Sequence, residues 1–441
     1  MIKKLISITI SIFCLFQGQA ETKVMTLHDC MVYAISNSTK IRIQNAEIND
    51  CRLEKRDAIL SAFTPMISAD TYAYYNFGRS IDPQTNTYFT QTSFHNNYSV
   101  SAGLTIFDGF QAVNNIIISK TGLLISKSRE KQAEADICLA VMEAYYNVVY
   151  SKRLVDVYRM QVEEAEKALS VAERREELGQ VGHADVIQLE ADLTDRQYDL
   201  INAENRWADQ LLMLTSLMFW PADEELKIDT ELPMWNEETF SENEVVDYAL
   251  KNNSAIQEAT WTRENAKREL HVAKWQLLPS IKFYAGWSTT YYTYTGANTP
   301  SFGNQFRNNG GEYIEFAVTV PIYNHLKGFS NIGKKRNSLI KATAELEQKQ
   351  RDVEAEVRRA MQDRDGASAA YRQALKKSWV QEEAYILNKK KLEQGLISPL
   401  EFQMANNNYL KAKADEMNSL FNFQIKQAIV KYYNGVDYIN Q

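Results

Sequence analysis

LGQVGHADVIQLE, residues 178–190, interrupts a long charged stretch of helical periodicity at Gly179-Gln180-Val181-Gly182 and resumes that periodicity at once. EQGLISPLEFQMA, residues 393–405, repeats the manoeuvre, and its Gly395 lies 395 − 179 = 216 positions after Gly179. A chain that makes one turn twice at long spacing is built from a duplicated unit. Other landmarks keep nearly the same offset. Ala34-Ile35-Ser36-Asn37-Ser38 and Ala249-Leu250-Lys251-Asn252-Asn253 each close a short amphipathic segment. A second helical run follows in each half, at about 40–62 and 254–277, and reaches Pro65 or Pro279. Proline disfavours the helical region for the residue before it, so each run stops there.

On both sides of the first turn the apolar residues keep a 4-3 alternation. Ile137, Val141, Ala144, Val148, Ser151, Val155, Tyr158 and Val162 open a series that runs to Ala172 with Ser151 its only polar member. Val186, Leu189, Leu193, Arg196, Leu200, Ala203 and Trp207 continue it after the turn. In the second half Val353, Val357, Ala360, Arg364, Ala367, Tyr371 and Ala374 take the equivalent places. Sustained heptads with small alanine knobs predict coiled-coil packing. No proline interrupts 84–220 or 322–398. A helix from about residue 110 to 178 is then about 100 Å long at 1.5 Å per residue, more than a compact globular domain can hold.

After Pro65 and Pro279 the period changes to two. Ile67, Ala69, Thr71, Ala73, Tyr75 and Phe77 share one face, and Ile281, Phe283, Ala285 and Trp287 share its counterpart. Loops rich in Gly, Asn, Thr and Pro follow at 78–93 and 295–312. Returning runs then place Tyr98, Val100, Ala102, Leu104 and Ile106, and Ile314, Phe316, Val318, Val320 and Ile322, on one face. These are four strands in two hairpins. Asp70, Lys282 and Glu315 fall on the face opposite the aliphatic one, with Ser68, Ser99, Ser101, Thr105 and Ser288. Apolar-out, polar-in alternation is the pattern of a transmembrane β-barrel, with Ile67, Val100, Leu104, Phe283, Phe316 and Val318 toward lipid. One sheet of a soluble sandwich shows the same alternation. Tyr72, Tyr74, Tyr75, Tyr284, Tyr291 and Tyr292 cluster toward the loop ends, where interfacial girdles sit. Four strands cannot close a barrel, for which about 8 are needed, so chains must pool them. A dimer supplies 8 and a trimer 12.

The first residues, MIKKLISITISIFCLFQGQA, read as a secretory signal: Lys3 and Lys4, an apolar run from Leu5 to Phe16, and a small-x-small site at Gly18-Gln19-Ala20. The apolar run is shorter than the roughly 20 residues a membrane span requires. Phe13 precedes Cys14 where a lipid-attachment site needs a small residue, so no lipid is expected. Loss of Lys3 and Lys4 moves the net charge from −7 to −9, which gives no general attraction for nucleic acid. Cys30, Cys51 and Cys138 are odd in number and widely spaced, the pattern of free thiols rather than a disulfide framework or metal site. His28, His95, His183, His271 and His325 are scattered without ligand spacing, so no metal or cofactor is expected. No nucleophile–base cluster or phosphate loop points to an enzyme.

The secretory signal, the duplicated halves, the paired glycine breaks, TIFDGF (105–110) and VPIYNH (320–325) together resemble the TolC-type outer-membrane efflux proteins across the whole mature chain. The resemblance implies an α+β membrane protein of two repeats. Long coiled-coil helices form an α-barrel, and four transmembrane strands per chain complete a 12-stranded trimeric β-barrel. It implies a signal peptide at 1–20, repeats at 21–220 and 240–432, an equatorial linker at 221–239 and a tail at 433–441. The long helices fall at 110–178, 184–218, 328–394 and 399–432, and the strands at about 66–77, 96–107, 280–294 and 312–323. In such proteins the glycine breaks are turns at a periplasmic tip, so Gly179, Gly182, Gly395 and Ser398 are the expected adaptor-docking positions. Asp185 and Glu401 are the expected pore-entrance acids, while Ser398-Pro399-Leu400-Glu401 also reads as a capping box. Capping and pore lining are compatible. Leu392 and Ile397 stand where members with a known closed-state latch carry Tyr and Arg, so a latch there is not expected; Arg174 and Arg175, upstream of the first turn, read as a solvated helix face, with tip contacts the alternative.

The implied function is a passive exit duct for a tripartite efflux or type I secretion system. It is located in the outer membrane of a Gram-negative cell and extends into the periplasm. The implied partners are two further copies of the chain, a periplasmic adaptor (membrane fusion) protein, an inner-membrane RND- or ABC-type pump and outer-membrane lipid. A trimeric coiled-coil structural or adhesive surface protein is the competing class, and it predicts a single hairpin region near the C-terminus.

Overall fold

The structure, a computed structural model, describes residues 24–81, 85–90, 92–231, 236–295 and 298–441; the expected signal peptide lies outside them. In chain order the elements are α1 (Leu27–Asn37), α2 (Thr39–Phe63), β1 (Met66–Asn76), β2 (Arg79–Ile81), β3 (Tyr88–Thr90), β4 (Ser93–Phe107), α3 (Gln111–Glu177) and α4 (His183–Met218) in the first half. The second half has α5 (Glu242–Asn252), α6 (Ser254–Trp275), β5 (Ser280–Tyr294), α7 (Phe302–Asn308), β6 (Gly311–Thr319), α8 (Lys327–Glu393) and α9 (Pro399–Tyr433). A short 3-10 turn at Tyr438–Asn440 ends the chain. The elements fall into two compact units.

One unit (Gln44–Arg129 and Ser254–Gln350) carries the sheet. β1, β4, β5 and β6 form one antiparallel four-stranded sheet in the order β1-β4-β5-β6, so the two hairpins join at β4–β5. The register collects the aliphatic residues on one face: Ala69 opposes Val100 and Val100 opposes Trp287, while Leu104, Phe283 and Phe316 form a row. Ile67, opposite Ala102, and Val318, opposite Ile281, complete that face and are 71% and 64% exposed. The other face holds Ser68, Ser101 and Gly286 in one row and Asp70, Ser99 and Ser288 in the next, with Lys282 and Glu315.

Three details differ from expectation. The aliphatic face carries one charge, Glu312, opposite Trp287 at the loop end of β6. Of the six tyrosines expected as girdles, only Tyr75 and Tyr291 share the aliphatic face; Tyr72, Tyr74, Tyr284 and Tyr292 lie on the polar face. Tyr284 is also far from the loops, and it and Tyr313 lie over Gly103 and Gly286, with ring atoms 2.9 and 2.8 Å from where a Cβ would stand. Aromatic rings commonly cover glycines in this way. β6 ends at Thr319, short of 323, because Pro321 has no N–H to continue the ladder.

The two loops are not bare. β2 pairs with β3, and α7 lies against β5 beyond the end of β6. There the buried Gln305 side chain accepts from Tyr292 N–H (3.0 Å) and donates to Tyr292 C=O (2.8 Å), the two bonds a neighbouring strand would make. Asn309 donates to Thr290 C=O at 2.7 Å, and Thr289 Oγ1 to Phe306 C=O at 3.0 Å. A helix thus protects a sheet edge that would otherwise attract another strand.

Each strand-to-helix junction turns in the same way. Asp108 Oδ2 accepts from Ala112 N–H at 2.7 Å, and Asn324 Oδ1 accepts from Gly328 N–H at 3.3 Å. Between them the chain takes two consecutive left-handed residues, Gly109-Phe110 (φ 68 and 62) or His325-Leu326 (φ 56 and 60). This is the physical content of TIFDGF and VPIYNH: a short polar side chain caps the new helix while two left-handed residues redirect the backbone. A Cβ at Gly109 would come within 2.4 Å of Trp275 O. Gly109→Ala is therefore expected to lower the thermal unfolding midpoint by the equivalent of about 2 kcal/mol or more. Gly122→Ala, on an open helical face, is expected to be neutral or stabilising by up to about 1 kcal/mol in the same assay.

The other unit (up to Ile43, Glu130–Asn253 and Arg351–Gln441) is helical. Val141, Val148 and Val155 of α3 are almost fully buried, as are Leu214 and Met218 of α4, Val353 and Val357 of α8, and Phe423 and Val430 of α9. Val141, Val148, Val155, Val353 and Val357 stand in the 4-3 series, so that pattern faces the core, while Leu214, Met218, Phe423 and Val430 lie beyond the positions that series named. α1 adds Cys30, Met31 and Ala34 to the cluster. The segment after α4 is tied in by Tyr145, which donates to Asp229 C=O at 2.7 Å, and by Arg153, which donates to Thr230 C=O at 2.7 Å. The tail closes over α9: Tyr438 stacks on Tyr432 at 4.8 Å, and the His28 ring meets Ile439 O at 2.9 Å. Cys30 and Cys138 are buried free thiols, and burial pushes both up to about 12, which leaves them unreactive.

Candidate functional site: the paired helix turns

The two breaks fold identically. Gly179 N–H donates to Glu176 C=O (2.8 Å) and Gln180 N–H to Arg175 C=O (2.8 Å); Gly395 N–H donates to Leu392 C=O (2.9 Å) and Leu396 N–H to Lys391 C=O (2.9 Å). That paired pattern is a Schellman motif, which requires a left-handed residue after the helix. Gly179 and Gly395 supply it with φ of 67 and 70. A Cβ would touch nothing at either position, so the backbone angle alone demands glycine.

The following helix starts differ in one respect. Ser398 and Glu401 form a complete capping box: Glu401 N–H donates to Ser398 Oγ and Ser398 N–H to Glu401 Oε2, both at 3.2 Å, with proline at the first helical position. In the first turn Gly182 stands at the cap with no side chain to offer, so only half a box forms, Gly182 N–H to Asp185 Oδ2 at 3.3 Å. His183 reaches back across the break to Glu176 at 2.8 Å. Gly179, Gly182 and Asp185 thus share one turn, and Gly395, Ser398 and Glu401 the other. Both acids cap their own helix while remaining exposed.

Above the turns the four helices are cross-linked by polar side chains that heptad reading does not reveal. Arg196, only 6% exposed, sits in the α3/α4 seam. It donates twice to Asp192 (2.8 and 3.0 Å) and once to Gln161 of α3 (2.9 Å). Gln403 of α9 donates to the same Asp192 at 2.8 Å. A buried guanidinium without such partners would be strongly destabilising. Glu164 of α3 accepts from Tyr385 and, at 2.7 Å, from Lys389, both on α8. Burial by itself would raise the Glu164 carboxyl, but the hydrogen bonds from Lys389 and Tyr385 outweigh it and hold the group below its ordinary value. Sequence carried a partial signal for Arg196, a lone charge in an apolar heptad, and none for Glu164.

The lipid-facing candidates Ile67, Val100, Leu104, Phe283, Phe316 and Val318 belong to the other unit, where the register puts all six on one face. Among the described residues no helix is long and apolar enough to cross a membrane.

The family description "Outer membrane efflux protein" matches residues 34–218 and again 245–430, one match per repeat. The chain belongs to this family. Solved structures place the same fold beside it. CusC is 14% identical, with 96% of each chain covered and a TM-score of 0.76. A membrane protein from Pseudomonas aeruginosa is 13% identical over 94% of this chain and 91% of that one, with a TM-score of 0.77. The CmeC outer membrane channel of Campylobacter jejuni is 14% identical over 97% and 90%, with a TM-score of 0.73. No curated protein sequence is similar enough to match. Each matched span contains one of the two glycine turns, Gly179 in the first and Gly395 in the second.

The Glu164 links give a pH signature. A depressed carboxylate stabilises the fold above its unfolded value of about 4.3, and that contribution is lost as pH falls through the lower folded value. Because the pair is two-fifths exposed, its worth is under about 1 kcal/mol. Glu164→Gln is expected to lower the unfolding midpoint slightly at pH 7, and the gap from the natural protein should close at pH 3, as read by circular dichroism.

Proposed function

We propose that the protein is the outer-membrane duct of a tripartite efflux or type I secretion system. The observation that carries this reading is the sheet. One face is aliphatic and exposed, the other holds Asp70, Lys282 and Glu315, and β1 and β6 end the sheet as open edges among the described residues. In lipid an open edge leaves backbone groups without partners, at several kcal/mol each, so the sheet has to be closed by other copies. Three copies give 12 strands, within the range of known barrels. The aliphatic face is then the lipid wall and the charged face the water-filled lumen. An adhesive coiled coil predicts a single hairpin region, whereas here each repeat contributes one.

In this reading the chain extends into the periplasm. The turns at Gly179 and Gly395 form its tip, against which a periplasmic adaptor docks to join an RND- or ABC-type pump. The duct is passive: the pump supplies the energy, and the protein supplies a path lined by one sheet face and by the helices.

Two measurements test it. The detergent-extracted protein is expected to be a trimer by light scattering. Arg in place of Val100 or Val318 should impair membrane insertion by about 2 to 4 kcal/mol near the midplane, while Ser101→Arg on the opposite face should insert normally. Equal tolerance at both faces would remove the barrel.

At the tip, a trimer brings three Asp185 and three Glu401 carboxylates together around one axis. The double variant Asp185→Asn, Glu401→Gln keeps capping groups at both helix starts, so the fold should persist. Cation preference in planar-bilayer recordings should fall, because rings of carboxylates concentrate cations. Unchanged selectivity would leave the two acids with capping alone.

A further inference from the structure

The tyrosines that do not fit a lipid-facing girdle point to a site. We propose that the loop end of the polar sheet face binds large organic cations through the exposed rings of Tyr72 and Tyr74, which His95 and the buried Tyr292 back in one aromatic row. This rests on the duct reading, which makes that face the lumenal wall.

The row is set by register. Tyr74 opposes His95 across β1–β4, and His95 opposes Tyr292 across β4–β5. Tyr74 and His95 are stacked with centroids 5.0 Å apart and planes 9° apart. His95 and Tyr292 lie 6.2 Å apart at 29°, and Tyr72 stacks on Tyr74 at 6.3 Å and 14°. Ser93 holds the His95 ring by a 2.9 Å hydrogen bond to Nε2. Interfacial belts of tyrosine face lipid, and these rings face the other way. Nor are Tyr72 and Tyr74 core residues, since both remain exposed, whereas Tyr292 is buried and supports the row from behind.

Charge decides which ligand suits the row. An aromatic face presents negative electrostatic potential, which attracts cations within about 6 Å of the centroid. β1, β4 and β6 contain no Lys or Arg, and Lys282, the one such residue in the four strands, lies at the helix end. Asp70 occupies the polar face just inward of Tyr72. A cation at the exposed sides of Tyr72 and Tyr74, which the stack leaves uncovered, therefore has aromatic rings and a nearby carboxylate beside it, while Arg79 of β2 is engaged over the Tyr88 ring at 4.6 Å. Small inorganic ions hold their water too tightly to gain from ring contact. Quaternary ammonium and phosphonium ions are thinly hydrated and broad enough to touch several rings. In a trimer three such rows form a collar at the outer mouth.

The test uses the intact protein in planar bilayers, with tetraphenylphosphonium added on the loop side. The natural channel should be blocked, and Tyr72→Leu with Tyr74→Leu should weaken the block about threefold or more, whereas Tyr74→Phe, which keeps the ring, should not. Tyr72→Leu alone serves if the double variant yields no trimer on native gels. Tetraphenylborate, of the same shape and opposite charge, should respond little to these changes. A conducting channel whose phosphonium block ignores the tyrosines, or whose borate block falls equally, overturns the proposal. A folded protein with no conductance at all overturns the duct reading itself.

Discussion

The edges of the four-stranded sheet are the constraint on which the rest of the molecule turns. A sheet whose aliphatic face is exposed cannot remain open in either water or lipid. Its outer residues would aggregate in the first, and its unpaired backbone groups would be intolerable in the second. The chain treats its edges individually. Beyond the end of β6, the Gln305 carboxamide satisfies Tyr292 as a strand would, so that stretch of β5 has a partner within the chain. β1 and the remaining side of β6 have no such cover among the described residues, and these are the edges that the proposed trimer joins.

Duplication explains why the architecture is economical in its devices. Both strand-to-helix junctions use one Asx cap and two left-handed residues, and both helix turns use one Schellman motif. The repeats differ where side chains, not backbone, fill the role. Gly109 is forced by the Trp275 carbonyl, while the equivalent His325 takes the same left-handed angle, φ 56, with a side chain in place. Gly182 leaves the first helix half-capped, and Ser398 with Glu401 caps the second fully. The weaker first cap is compensated in part by the His183–Glu176 contact across the turn.

The polar links above the turns add specificity to a seam that is otherwise apolar. Valine and alanine knobs tolerate sliding by a heptad, whereas Arg196 with Asp192, Gln161 and Gln403, and Glu164 with Tyr385 and Lys389, each satisfy their geometry in one register. In a bundle of long helices such links are a direct way to align the two turns with each other.

Periodicity and punctuation in the sequence determined a great deal here. The 4-3 rhythm predicted the buried valines, because heptad spacing leaves a helix only one seam to bury. Pro65 and Pro279 marked where helix yields to strand, and Gly179 and Gly395 marked the left-handed turns, since no other residue takes that angle without cost. The parity of Ile67 against Tyr72 and Tyr74 already placed those tyrosines on opposite faces, and a girdle reading overlooked it. Only tertiary structure decided that Tyr74, His95 and Tyr292 share one row, that Gln305 replaces a strand, and that Glu164 meets α8. Each depends on cross-strand register or helix alignment between segments far apart in sequence. That alignment is fixed by hydrogen bonds and packing across the gap, which leave no periodic trace in either segment alone.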